Sequence, residues 1–223
     1  MVDFYIRTKQ DLKDAVVKYG ILPYFTNGIP GFSIEEHVDP GVWFTDIPGP
    51  WEWKGPVIRE LGCAYGKFFE AKAAYVSAEL FPDLANYRRD GYDFDARFDD
   101  ELASYRDKEL YDLISQNSPI LSKELRIKGN YVKGGKKGFE TLINRLQSQC
   151  YVLVGDFVYS HDKNGREYGW GIAEYSTPEV FMGSGFTDAV YKRTPEESYR
   201  RLLDRLKKMF PEIPEARLCK FLS

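Results

Sequence analysis

The sequence predicts a mainly helical α+β fold, in which two units, each a helix-turn-helix followed by a β-hairpin, are closed by C-terminal helices. Three observations predict it. A hairpin pattern runs from Tyr151 to Tyr175, an amphipathic helix directly precedes it, and residues 1–88 repeat the same order of elements more loosely. At 223 residues, 43% hydrophobic and 29% charged, the chain is long enough for one large domain or two small ones, each with a buried core.

In the first unit, Asp11 to Lys18 reads as a helix. Ser33-Ile34-Glu35-Glu36 is a capping box, in which Ser33 and Glu36 satisfy each other's backbone donors, and it predicts a second helix. Pro50 to Leu61 reads as a turn and helix. The runs Ala64 to Phe69 and Ala73 to Ser77 then form a hairpin around Glu70-Ala71-Lys72. Asn86 to Glu101 is charged and punctuated by aromatics, and reads as a connector.

The second unit is written more plainly. Leu121-Ser122-Lys123-Glu124-Leu125 starts a short helix that Ser122 is placed to cap, and Lys128-Gly129-Asn130 turns the chain. Phe139, Leu142, Ile143 and Leu146 fall at i, i+3, i+4 and i+7, one face of a helix, leaving Lys137, Thr141, Asn144 and Arg145 to face elsewhere. Tyr151 to Ser160 and Tyr168 to Tyr175 are the strands of a hairpin, with Asn164-Gly165 supplying the two φ > 0 residues of a tight turn. Helix-turn-helix plus hairpin is the winged-helix plan, so both units are expected to be winged-helix-like. Thr194-Pro195-Glu196-Glu197 opens a further helix with Thr194 as cap, Pro195 at the first position and Glu197 closing the box. Its stripe is Tyr199, Leu202, Leu203, Leu206, Met209 and Phe210. Pro211 ends it, and a last helix follows Pro214. The predicted division is 1–88, a connector 89–105, a second unit 106–182 and C-terminal helices 183–223.

The pattern argues for a binding surface. Lys133, Lys136 and Lys137 before the amphipathic helix, with Lys163 and Arg166 at the hairpin tip, are arranged as phosphate neutralisation requires, since each cation set against a phosphate releases counterions. Thr141, Asn144 and Arg145 complete the expected DNA contact surface, and Lys54 beside Trp51 and Trp53 adds a core anchor or a stacking site in the first unit. The net charge of −3 assigns any such binding to local charge segregation, not to the overall field.

Other chemistries find little footing. The histidines, His37 and His161, stand in no nucleophile or metal setting. Asp90, Asp93 and Asp95 are close in sequence but lack the EF-hand glutamate at the twelfth position, and salt bridges with Arg88, Arg89 and Arg97, or helix capping, are the simpler reading. No metal and no cofactor are expected. Cys63, Cys150 and Cys219 have no CxxC spacing, which fits a reducing cytoplasm. The N-terminus lacks a basic region followed by an apolar run, and no span of about 18 apolar residues occurs, so a cytoplasmic protein without membrane insertion is expected.

The succession Trp51-Glu52-Trp53, Tyr65-Gly66-Lys67-Phe68-Phe69, Arg88 to Arg97, Gly134 to Glu140, Leu146-Gln147-Ser148-Gln149 and Tyr168-Gly169-Trp170-Gly171 resembles the AlkZ-related family. The resemblance covers most of the chain. That family takes its name from a distant similarity to AlkZ and YcaQ, winged-helix DNA glycosylases that remove alkylated bases. The resemblance implies winged-helix units and association with DNA. The glycosylases use a Gln-x-Asp or Gln-x-Gln motif with an apolar middle residue, so Gln147 and Gln149 become the catalytic candidates by resemblance. Here the middle residue is the polar Ser148, and a glutamine pair at a helix end reads more simply as solvated surface or a backbone cap. DNA binding without catalysis is the primary expectation, an AlkZ-type base-excision glycosylase the alternative, and a protein-docking module whose hairpin pairs with another chain the third.

Overall fold

The computed structural model describes residues 4–165 and 167–223, and the side chains of 167 and 168 are outside the description. The fold is α+β, with two small three-stranded antiparallel sheets among the helices. In the first half, α1 (Lys9–Tyr19) leads to β1 (Ile21–Pro23), and α2 (Pro50–Leu61) leads to the hairpin β2 (Ala64–Phe69) and β3 (Lys72–Val76). The sheet order is β1-β3-β2. The hairpin turn is Glu70-Ala71, both at positive φ (50° and 57°), the backbone a two-residue antiparallel connection requires.

The helix predicted at Ser33 is not formed. Glu36 N–H donates to Ser33 Oγ, half of the predicted box, but the Glu36 carboxylate accepts from the Ser33 hydroxyl and Gly31 N–H, and residues 31–37 make turns and bends only. Backbone pairing with Ile6 is the cause. The Ile34 and Glu35 N–H groups, free at any helix start, donate to the Pro23 and Tyr24 carbonyls, but Asp39 N–H, which a helix would turn back on Glu35, donates instead to the Ile6 carbonyl, and the His37 carbonyl accepts from Ile6 N–H.

The stretch expected as a connector carries the end of one helix and the whole of another. These are α3 (Phe81–Arg89) and α4 (Phe94–Asp99), the latter capped by Asp93, whose carboxylate accepts from Ala96 N–H at 2.8 Å. Charge does not keep α3 at the surface, because its polar residues meet partners on other elements. Arg89 is fully buried. It donates to Glu179 Oε1 (2.7 Å), the Cys150 carbonyl (2.8 Å) and Tyr191 Oη (3.1 Å), so it ties α3 to the second half.

The second half begins with α5 (Tyr105–Asn117), then β4 (Ile120–Leu121), α6 (Ser122–Lys128), α7 (Phe139–Ser148), β5 (Leu153–His161) and β6 (Glu167–Ser176). The sheet order is β4-β6-β5. Phe139, Leu142, Ile143 and Leu146 of α7 are buried, as their spacing predicts. Ser122 starts α6 without capping it; Leu121 is the cap residue. β5 ends at His161 and β6 begins at Glu167, so the connection is longer than the two-residue turn that Asn164-Gly165 predicts. Within it Gly165 takes φ 77° and donates to the Asp162 carbonyl, while Asn164 N–H is drawn to the Asp162 carboxylate. Arg166 lies outside the described residues.

Beyond β6 come the short helices α8 (Pro178–Met182) and α9 (Ser184–Thr187), then α10 (Pro195–Met209) and α11 (Glu215–Leu222). The predicted Thr194–Glu197 capping box forms, and Leu202, Leu203 and Leu206 are buried. One continuous apolar cluster runs through both halves. No helix among the described residues is long and apolar enough to cross a membrane.

Candidate nucleic-acid interface

Two surfaces compete for the role, and the first is the predicted basic one. Lys133, Lys136 and Lys137 are exposed in the loop before α7, Thr141 and Arg145 are exposed on α7, and Asn144 is half-buried. Several of these cations are already matched. Lys136 pairs with Glu109 and Arg145 with Asp107 (2.9 Å), while Arg126 of α6 pairs with Glu140. Lys133, Lys137 and, at the hairpin, Lys163 are exposed and stand in no ion pair within the described residues.

The second surface is a cleft between the halves. Helix α2 approaches β5 closely because residue 55 is glycine: a Cβ there would sit 2.5 Å from Asp156 Oδ1. Arg59 of α2 pairs with that same carboxylate. On the other side of the cleft, Gln147 of α7 reaches β2, its Oε1 accepting the Lys67 N–H at 3.1 Å while its Nε2 donates to the Ile143 carbonyl at 3.3 Å. These two ties frame a cavity of about 410 Å³ lined by α2, both strands of the first hairpin, Gln147, and both strands of the second hairpin. Its walls are aromatic: Phe25, Trp51, Tyr65, Phe157 and Trp170. Trp51 and Trp170 meet edge to face at 6.0 Å, and Phe44 lies 5.7 Å from Trp51. Trp170 and Phe44 are 70% and 59% exposed, so flat rings stand open at the mouth.

The charges of the cleft have one sign. Among the described lining residues, the charged ones are Lys54, Lys67 and Lys72. Lys54 is the unusual member, only 4% exposed, with its Nζ 3.3 Å from the centre of the Trp51 ring and 4.1 Å from that of Phe157. Ring faces attract a cation, but they do not replace a carboxylate or water. Burial therefore pulls the Lys54 pKa down to about 8, with Glu52 on the same helix acting the other way. Lys72 is partly satisfied, by the Thr26 carbonyl at 2.7 Å and Glu70 at 3.7 Å. Lys67 has no ion pair among the described residues.

Sequence reading left Lys54 with Trp51 and Trp53 as either a core anchor or a stacking site, and the structure buries it on the Trp51 ring at the wall of the cleft. It also treated Gln147 as helix-end surface, whereas Gln147 is 2% exposed and lines the cleft. Gln149, half-buried, is the C-terminal cap residue of α7 and is not among the cavity-lining residues. Sequence reasoning passed over Lys67, Lys72, Phe157 and Trp170. A tryptophan between two glycines in a strand, Gly169-Trp170-Gly171, was the visible signal for one of them. Asp93 caps α4 and Asp95 pairs with Lys108 at 3.2 Å, so the acidic stretch is engaged in structure.

A buried lysine without a carboxylate is a stability defect, and it has a pH signature. Between about 8 and 10.5 the unfolded lysine holds a proton that the folded one has released, so stability rises with pH across that window. Below it the defect is constant. Lys54→Met is expected to stabilise the protein at pH 7 by up to about 3 kcal/mol, at about 1.4 kcal/mol for each pH unit by which a pKa moves. Denaturant melts of both proteins at pH 7 and pH 10 check it; a destabilised Lys54→Met at pH 7 contradicts it.

Fold and site together define an α+β protein with a cationic aromatic cleft between two sheet-bearing halves. The family model described as AlkZ related matches residues 6–223, and the chain belongs to that family. No curated protein and no solved structure matches it.

Proposed function

We propose that the protein binds DNA at an unpaired or extruded base, with the cleft taking the base and the lysines meeting the flanking phosphates. One observation carries this reading: a 410 Å³ cavity walled by rings whose described charged residues are all lysines, in a chain of net charge −3. A flat aromatic group attached to an anion is the ligand such a site complements. Rings that stack on bases contribute about 1 to 3 kcal/mol each, and a base outside the helix is available to them. Membership of a family named for its relation to AlkZ supports the choice of DNA.

The reading extends to the fold. Helix, strand, helix, helix and hairpin, with the first strand beside the last, is the winged-helix order, and α5 through β6 follow it. The first half follows it with turns in place of the middle helix. Two winged-helix-like units, 1–88 and 106–182, with 89–105 between them and the helices of 183–223 packed on the core, is the division we infer. Binding without catalysis is preferred, because both ends of the Gln147 amide are held by backbone groups. The presence of Gln147 in the cleft is the observation that favours the second reading, a base-excising glycosylase. Cytoplasmic location suits three free cysteines.

Titration of three DNAs of one sequence, fully paired, single-stranded and carrying one extrahelical base, tests the proposal. Single-stranded and extrahelical-base DNA are expected to bind at least about tenfold more tightly than the paired duplex, the yield of one stacked base. Equal affinity for all three refutes the cleft as the site of binding.

A further inference from the structure

Lys54 is costly where it stands, and the DNA reading uses only its charge. A cation for phosphate contact belongs at the rim, where Lys67 and Lys72 already are. Lys54 instead places Nζ inside the apolar cavity, against the Trp51 and Phe157 rings, with no hydrogen bond or ion pair among the described residues. An amine held this way keeps a free lone pair whenever it is deprotonated, and it faces the space where the bound nucleotide sits.

The geometry points to Lys54 as a covalent capture site for the open-chain aldehyde of an abasic deoxyribose. This rests on the DNA reading above. The Nζ lone pair adds to the C1′ carbonyl carbon, and the carbonyl oxygen takes up a proton to give a carbinolamine. The C–O bond then breaks, the oxygen leaves as water, and a C=N bond forms; amine plus aldehyde gives imine plus water. Addition of water reverses it. With no base to occupy the cleft, the abasic sugar brings its aldehyde to the space that an intact nucleotide fills with its ring.

The protonation state favours the reaction. With a pKa of about 8, about a quarter of Lys54 is neutral at pH 7.5, against about one in a thousand for a lysine at its ordinary value. The protein then stands downstream of reactions that remove bases: it holds their product, an aldehyde that is otherwise free to react elsewhere.

The test uses the full chain, an oligonucleotide with one abasic site, and the same oligonucleotide with an intact base. Both are incubated with the protein and sodium cyanoborohydride, which delivers hydride to the imine carbon and makes the link permanent. Denaturing gels and peptide mass mapping then locate the adduct. A single protein–DNA adduct at Lys54 is expected with the abasic DNA and none with the intact one. Lys54→Arg, which keeps the charge, should lose the adduct at least tenfold when compared with wild type at protein concentrations that saturate the abasic DNA in both. Lys133→Gln, outside the cleft, should keep the adduct. An adduct yield unchanged in folded Lys54→Arg, or spread over surface lysines, overturns the proposal. So does the absence of an adduct when both DNAs bind, which leaves the DNA reading intact. Absence of binding to either DNA removes the DNA reading and the capture proposal together.

Discussion

Arg89→Ala is expected to destabilise the protein by about 3 to 5 kcal/mol, the usual cost of removing one partner from a buried, hydrogen-bonded ion pair. The guanidinium is 1% exposed and its bonds reach Glu179, the Cys150 carbonyl and Tyr191, on three separate segments of the second half. It also lies over the Tyr151 ring at 4.6 Å. Truncation strips the Cys150 carbonyl of its donor in a site that excludes water, and leaves the Glu179 carboxylate, itself about a third exposed, without its cation. The surrounding tyrosines are held high by burial first, with the arginine acting against it, so none of them supplies a compensating charge at neutral pH. A urea melt decides the matter. A loss under about 1 kcal/mol would mean that α3 does not depend on this tie.

Trp170 and Trp51 separate binding from folding. Trp170→Ala should leave stability within about 0.5 kcal/mol, because the ring is 70% exposed. The same change should weaken binding of single-stranded DNA by about 1 to 3 kcal/mol, roughly 5- to 150-fold. Trp51 is half-buried and touches Tyr24 and Phe44 as well as the Lys54 ammonium, so Trp51→Ala should lose up to about 3 kcal/mol of stability in addition to affinity. Melting temperatures and binding isotherms of the two variants, taken together, test both statements. Wild-type affinity in a folded Trp170→Ala would remove the ring from the binding site.

The parts of the fold that were legible are those written locally. The i, i+3, i+4, i+7 stripe of α7, the capping box of α10 and the strand expected over Tyr151 to Ser160 each sit within about a dozen residues, and each formed. Ser33 did not start a helix, because pairing with Ile6 takes the Asp39 N–H that a helix would turn back on Glu35. That competition is tertiary and leaves no mark in the motif. The ion pairs of the basic surface were hidden for the same reason: Lys136 and Arg145 look free in sequence, and their carboxylates, Glu109 and Asp107, come from α5.

The cleft was legible only in fragments. Lys54 and Trp51 stood out as a cation beside an aromatic, and Gln147 entered through family resemblance. Their convergence depends on Gly55 admitting β5 and on Gln147 reaching Lys67 across 80 residues of chain. Phe157 and Trp170 belong to the hairpin that was read for its turn, not for its face. Period-two alternation says which residues share a face, and it does not say what that face meets.

The central claim is that the cleft, and not the loop before α7, carries DNA. The most direct measurement is the salt dependence of binding to the extrahelical-base DNA for two triple variants, Lys54→Gln/Lys67→Gln/Lys72→Gln and Lys133→Gln/Lys136→Gln/Lys137→Gln. Removing a cation from one phosphate flattens the slope of log affinity against log salt by about 0.7 on a single strand and about 0.9 on a duplex. The account predicts a slope flatter by about one to two in the cleft variant, with weakened binding, and a slope near wild type in the loop variant. A wild-type slope in the folded cleft variant, with flattening in the loop variant, would contradict it.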